Sequence, residues 1–440
     1  METKKRILII GEVYIDHHMD KQLERLGGIF HSARMLSALK KEFALAAILP
    51  AYLSSDYEQF SKKLNATTAI QIGETKRSPN IMNIFDSKEA GPKHHENILQ
   101  NQAEVELDLE GLDEQINTFM PTDILLYPGN YDCKSILSVV LKYGDSLKVH
   151  IDLEDSATLD ELLAFDRKIE TIFLSTSSPL FREEGGTLGN LIDSSVAKVA
   201  SFILLKENRG GSTLINTGTR KLTEVPAFLT LNEHSIGIGD CYNAAYISLQ
   251  DTYVVEESMK IASFYSSEYA ATYDYEVFKR SIECTPATEI IKLAGIRLPW
   301  DTRKTKHIYI AGPDFPIMDR TYFEKVDIAL NYHNFSPHRP IIENGVYTGE
   351  EDYHIQQNIY NEDVRLMEIS ELMVVVLLND DPGTLVEIGW MNKKGKPIIL
   401  FDPFHIVHNL FLKKSVTCIV HSLDEVIYHV FRLLGSTALK

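Results

Sequence analysis

Short apolar runs that stop at glycine or at a charged residue, alternating with segments of helical period, restrict the fold of this chain more than any other feature. Ile7–Ile10 ends at Gly11, and runs of the same kind recur at Leu45–Leu49, Ile124–Tyr127, Val149–Ile151, Thr171–Leu174 and Phe202–Leu205. A strand without a polar face has to be covered on both sides. Helix-period segments such as His31–Lys41 and Lys134–Lys142 lie between these runs and can supply the cover. The alternation predicts a mostly parallel sheet between two helical layers, with ligands at the carboxyl ends of the strands.

One core rarely organises 440 residues, so two or three domains are expected. The pattern breaks at Leu298–Lys306 (LPWDTRKTK), where a proline, a tryptophan and a charged run precede a fresh apolar stretch. The break predicts a first domain over 1–298, a linker over 299–306 and a second α/β domain over 307–440. In the second domain His307–Ala311, Leu372–Leu378 and Pro397–Phe401 read as strands, and Tyr322–Tyr332 as a helix. Between Ala69 and Leu109 the pieces become short and polar, AIQIG and NIMNIF among them. That stretch is either a small antiparallel sheet inserted as a lid or a plain surface excursion.

The formal charge of −18, from 44 Lys+Arg against 62 Asp+Glu, argues against a broad nucleic-acid surface. Small anions held by backbone amides and a few local cations remain compatible with it. The first apolar run is too short for a signal peptide, and no run of about 18 apolar residues reads as a membrane span. Cys133, Cys241, Cys284 and Cys418 are scattered without metal-ligand spacing, which fits a reduced, cytoplasmic protein.

Two stretches carry chemistry. In Ser235–Tyr246 (SIGIGDCYNAAY), Gly237 and Gly239 flank Ile238 and precede Asp240 at the start of a helix. Glycines there let the backbone approach a ligand, and a helix start favours phosphate oxygens. A carboxylate beside such a pocket can deprotonate a hydroxyl. In Asn379–Trp390 (NDDPGTLVEIGW), Asp381 leaves a buried strand, Pro382 and Gly383 turn the chain, and Glu387 lies about one turn into the following helix. Two carboxylates facing one pocket suit glycosidic chemistry, one attacking the anomeric carbon while the other manages the leaving group's proton. Asp363, in a segment ahead of the same strand, can reach that pocket too.

The order GEVYID, then a di-glycine before a helix, a polar β insertion and late GIGDCYNAAY resembles the ribokinase-like family of sugar and nucleoside kinases, the phosphofructokinase B family, over roughly residues 5–298. The resemblance implies an α/β/α domain with a β lid, in which Gly237, Ile238 and Gly239 form an anion hole and Asp240 is the catalytic base. It places Asp16, Gly27 and Gly28 around sugar hydroxyls and Lys206, Asn208 and Gly211 (in KENRGG) on the nucleotide side, with ATP and Mg²⁺ as cofactors. The chain departs from the family at His31, where asparagine is common, and after Thr171–Leu174, where STSSPLF replaces the expected Asn-x-x-Glu.

YIAGP, FSPHRP, YNEDVRLMEISELMVVVLL, DPGTLVEIGW and GKPIIL, in that order, resemble nucleoside 2-deoxyribosyltransferases over roughly residues 307–409. The resemblance implies a flavodoxin-like doubly wound sheet and a cofactor-free reaction. Glu387 would be the nucleophile, Asp381 would hold and help protonate the base, Asp363 would hold the deoxyribose hydroxyls and Tyr309 would orient Glu387. Asn409, in HNLFLKK, would be lent to a neighbouring subunit, which implies a homo-oligomer. Together the two halves lead us to expect a bifunctional enzyme acting on nucleosides, nucleotides or sugars. The alternative is that the first half only binds a nucleoside and regulates the second.

Overall fold

The computed structural model describes residues 4–92, 95–154, 156–165, 167–347, 349 and 351–438. The chain divides into two compact units, one formed by 1–88, 93–295 and 438–440, the other by 89–92 and 296–437.

In the first unit the apolar runs form a ten-stranded sheet. Its central strands are parallel in the order Ala200–Lys206, Ile169–Ser175, Lys148–Asp152, Asp123–Leu126, Arg6–Glu12, Glu42–Leu49 and Thr68–Lys76. Ser212–Asn216 and Leu222–Val225 continue one edge antiparallel, and Glu104–Leu107 closes the other. Ile7 through Ile10 and Ala44 through Leu49 are fully buried, as strands covered on both faces must be. The helix Ile238–Leu249 is buried from Cys241 through Leu249 and packs against Phe30–Ala38 and Val255–Ala270. Its first turn, carrying Asp240, emerges from the core at the end where the parallel strands terminate.

The polar stretch divides in a way its alternation does not reveal. AIQIG lies within Thr68–Lys76 and belongs to the main sheet, because the chain continues parallel to Glu42–Leu49. NIMNIF supplies Ile81–Ile84 to a separate four-stranded sheet, in the order Leu23–Leu26, Ile15–His18, Ile81–Ile84, His95–Asn97. That sheet is mixed, where the sequence leaves open a small antiparallel sheet or a plain surface excursion: Ile15–His18 runs parallel to Ile81–Ile84 and antiparallel to Leu23–Leu26. Half of it comes from the residues just after the first strand, so Asp16 sits on it opposite Arg25.

The second unit has five parallel strands in the order Ser336–His338, His307–Ala311, Leu372–Val376, Ile398–Phe401, Cys418–Val420. In chain order this is 2-1-3-4-5, a doubly wound sheet whose crevice opens between the first and third strands. The charged run expected to be a linker packs into this unit. Arg303, in the short helix Trp300–Arg303, is fully buried. Its Nε donates to Leu298 O at 3.0 Å, and its guanidinium lies 4.8 Å from the Phe431 ring centre. An arginine can be buried this way because aromatic faces attract its charge. No helix among the described residues is long and apolar enough to cross a membrane.

Candidate active sites

In the first unit Asp16 is buried, with His31 Nε2 at 3.1 Å and Arg25 Nε at 3.7 Å from its Oδ2. Burial pushes its carboxyl up, but the His31 contact and the Arg25 and Arg34 charges more than offset this and leave it below the usual range. Burial drives His31 down to about 4, so its imidazole is neutral at neutral pH. His31 Nδ1 is 2.8 Å from Tyr269 OH. The glycines follow from this crowding: a Cβ on Gly27 would lie 2.1 Å from Asp16 Oδ1, and one on Gly237 would lie 2.1 Å from His31 Cγ. Gly237 also takes a φ of +76° as the cap residue of the Asp240 helix. Gly28 has its own close approach, 2.2 Å from a Cβ to Glu12 O. Asp16, Gly27 and Gly237 thus crowd around His31, with Gly237 brought there from more than two hundred positions along the chain. Gly27→Ala is expected to cost about 1–3 kcal/mol through overpacking, read by chemical denaturation.

Asp240 lies in the first turn of the helix that Gly237 caps, within electrostatic reach of Asp16. Ser32 Oγ donates to its carbonyl at 3.0 Å, and Tyr127 OH does so at 3.4 Å. Its carboxyl is pushed up to about 7, first by burial and then by Asp152, with Lys206 opposing. Lys206 Nζ lies 3.0 Å from Asp152 Oδ2 and 3.2 Å from Asn243 Oδ1, and Asn243 Nδ2 donates to Asp152 at 2.8 Å. Asn208 and Gly211 shape the turn beyond Lys206: Asn208 Nδ2 donates to Thr176 Oγ1 at 3.4 Å, and Glu207 N donates to Gly211 O at 2.9 Å. Asp152 and Asn243 were not singled out from sequence. A charged residue closing the apolar run Val149–Ile151 was the available signal.

The donor set does not make a protein cage for Mg²⁺. Both Asp152 oxygens are engaged by Lys206 and Asn243, and no group of three or more His, Cys, Asp or Glu among the described residues is arranged to hold a metal ion.

In the second unit Tyr309 is the middle residue of His307–Ala311, and Glu387 lies on Pro382–Lys393, the helix that follows Leu372–Val376. The two meet at the crevice, where Tyr309 OH donates to Glu387 Oε1 at 2.6 Å. Burial raises Glu387 to about 7; the Tyr309 hydroxyl opposes this, while Asp363 and Asp381 add to it. Burial and the Glu387 charge push the Tyr309 phenol well up, so it stays a donor. Asp381 caps the helix, accepting from Thr384 N at 2.7 Å and Thr384 Oγ1 at 2.8 Å, all through Oδ2. Asp363 accepts from Asn344 Nδ2 at 2.7 Å, and burial raises its carboxyl. Three carboxyls and a phenol therefore converge on one crevice. Asn409 stands apart from them, exposed, with its side chain capping Leu410–Ser415 beside the exposed Phe411. Arg339 is engaged by Asp314 at 2.8 Å, a partner that the spacing in FSPHRP does not reveal.

Residues 308–414 match the family model for nucleoside 2-deoxyribosyltransferase. A comparison with curated proteins finds no match. Among solved structures, adenosine kinase from Sinorhizobium meliloti is similar at 12% identity and a TM-score of 0.51, covering 64% of this chain and 100% of that one. A nucleoside kinase from Methanocaldococcus jannaschii, an archaeal member of the ribokinase family, is similar at 13% identity and a TM-score of 0.46, covering 64% and 100%. The first part of the chain thus has a ribokinase-like α/β fold, and the second part carries a nucleoside 2-deoxyribosyltransferase domain.

Proposed function

We propose that the second unit cleaves the N-glycosidic bond of a 2-deoxynucleoside or deoxynucleotide by double displacement. The observation that carries this reading is the 2.6 Å contact from Tyr309 OH to Glu387 Oε1. It fixes one carboxylate oxygen and leaves the other to react. Glu387 attacks C1′, the C1′–N bond breaks with its electron pair going to the base, and the base takes up a proton. A second base or water then attacks C1′, releases the Glu387 carboxylate and gives up its own proton. Asp381, through the oxygen not used in capping, holds the base, and Asp363 holds sugar hydroxyls. A missing 2′-hydroxyl favours the oxocarbenium-like transition state, which is the chemical reason for a deoxyribose preference.

The first unit, on the same proposal, transfers the terminal phosphoryl of ATP to a sugar or nucleoside hydroxyl. Asp16 holds the acceptor, the Gly237–Gly239 amides receive phosphate oxygens, and Asp240 accepts the hydroxyl proton. A base whose pKa sits near 7 suits this work at neutral pH. The protein would act in the cytoplasm as a homo-oligomer, with Asn409 presented to a neighbouring copy.

A second reading, that the first unit binds a nucleoside and regulates the second, is favoured by the serines that stand where a metal-ordering Asn-x-x-Glu is expected. Incubation with each deoxynucleoside and deoxynucleotide, with and without acceptor base and ATP, followed by product chromatography, separates these cases. Free base or exchanged nucleoside is expected; no glycosidic cleavage of any substrate would sink the first proposal, and no ATP consumption with any acceptor would leave the regulatory reading.

Tyr309→Phe removes the one hydrogen bond that lowers the Glu387 pKa. The nucleophile must be ionised, so the acid limb of the kcat/KM profile is expected to move to higher pH. Activity at pH 7 should fall by about tenfold, measured by the pH dependence of base release.

A further inference from the structure

The cation at the anion-binding end of the first unit is a side chain. Lys206 closes the strand Ala200–Lys206, and its ammonium lies 3.1 Å from where a Cβ on Gly239 would stand. It is therefore set against the second glycine of the turn that would receive phosphate oxygens. Asp152 holds it at 3.0 and 3.3 Å and Asn243 at 3.2 Å. The segment after Ile169–Ser175, where the partners of a hydrated metal ion are expected, presents Thr176, Ser177 and Ser178 and no carboxylate. Asp152, Glu154 and Asp240 would otherwise confront an incoming polyphosphate with negative charge alone.

We propose that Lys206 reads the terminal phosphate of the nucleotide, so that this site selects a nucleoside triphosphate over the diphosphate without a metal ion organised by the protein. The inference rests on the phosphoryl-transfer reading of the first unit and deepens it. A lysine ammonium is a compact point charge, and its hydrogen bond to a phosphate oxygen is charge-assisted. Its benefit falls on the phosphate within contact distance and much less on those farther away. Held by Asp152 and Asn243, the ammonium is placed before the ligand arrives, so little side-chain entropy is lost on binding.

The test is calorimetry on the full chain with ADP and with the non-hydrolysable analogue AMP-PNP, each in EDTA and in Mg²⁺. In EDTA the wild type is expected to bind AMP-PNP on the order of tenfold more tightly than ADP. Lys206→Met should erase that preference with ADP affinity little changed, and Lys206→Arg should keep it. Asp152→Asn, which loosens the ammonium's hold without removing the charge, should retain or increase the preference, and it decides the matter if Lys206→Met does not fold. Equal preference in Lys206→Met and wild type overturns the inference, as does a wild type that discriminates only with Mg²⁺; in both cases the phosphoryl-transfer reading stands. A wild type that binds neither nucleotide under either condition overturns the inference and that reading together.

Discussion

Glu387→Gln is expected to lower kcat/KM for base release by about 10⁶-fold, the scale on which removal of an attacking nucleophile acts. The amide keeps the shape of the carboxyl and can still accept from Tyr309 OH, so binding of the nucleoside should survive. Intact-mass spectrometry of wild type incubated with a deoxynucleoside should reveal a deoxyribosyl adduct that the variant lacks. An adduct that persists in Glu387→Gln would place the nucleophile elsewhere and end this assignment. Stability should move the other way. The carboxyl is raised from 4.5 to about 7, with burial the first cause. A raised acid costs the folded state nothing below its unfolded pKa, progressively more as pH climbs toward about 7, and its full amount above that. The full amount is on the order of 3 kcal/mol. Glu387→Gln should therefore raise Tm at pH 8 and leave it nearly unchanged at pH 4, a pairing of lost activity with gained stability that marks a buried functional charge.

Asp240→Asn should reduce phosphoryl transfer by about 10²–10⁴-fold, the contribution of a positioned base. The carboxyl must be ionised to take the hydroxyl proton. With its value raised to about 7, wild-type transfer should rise with pH through that region and level off above it. The variant should lose this pH dependence, while calorimetric binding of the acceptor is retained because Asp16 and His31 are untouched. ATP consumption that is unaffected by Asp240→Asn would show that another group does the proton transfer.

Much of the fold was legible because burial on both faces leaves a mark that needs no tertiary knowledge. The runs at Ile7–Ile10 and Leu45–Leu49 each fall in a parallel strand, and the run Leu372–Leu378 contains one, Leu372–Val376. Two strands of the second unit, Ser336–His338 and Cys418–Val420, are three residues long and flank the sheet at its edges, and the first contains a proline. Strands that short carry too little periodicity to register. The mixed small sheet escaped for a different reason: parallel pairing of Ile15–His18 with Ile81–Ile84 joins segments more than sixty positions apart, and no local pattern encodes such a partner.

The sequence by itself determined the two α/β units, the helix-start placement of GIGD, the strand-end placement of DPGTLVEIGW, and the residues to suspect, because residue type and local spacing are properties of the chain alone. Tertiary structure alone decided what those residues meet. It set Tyr309 OH on Glu387, put His31 between Asp16 and Gly237, turned Asp381 into a helix cap and delivered Lys206 to Gly239. It also moved Asp240 and Glu387 up to about 7, since desolvation and neighbouring charge depend on distances that no stretch of sequence contains.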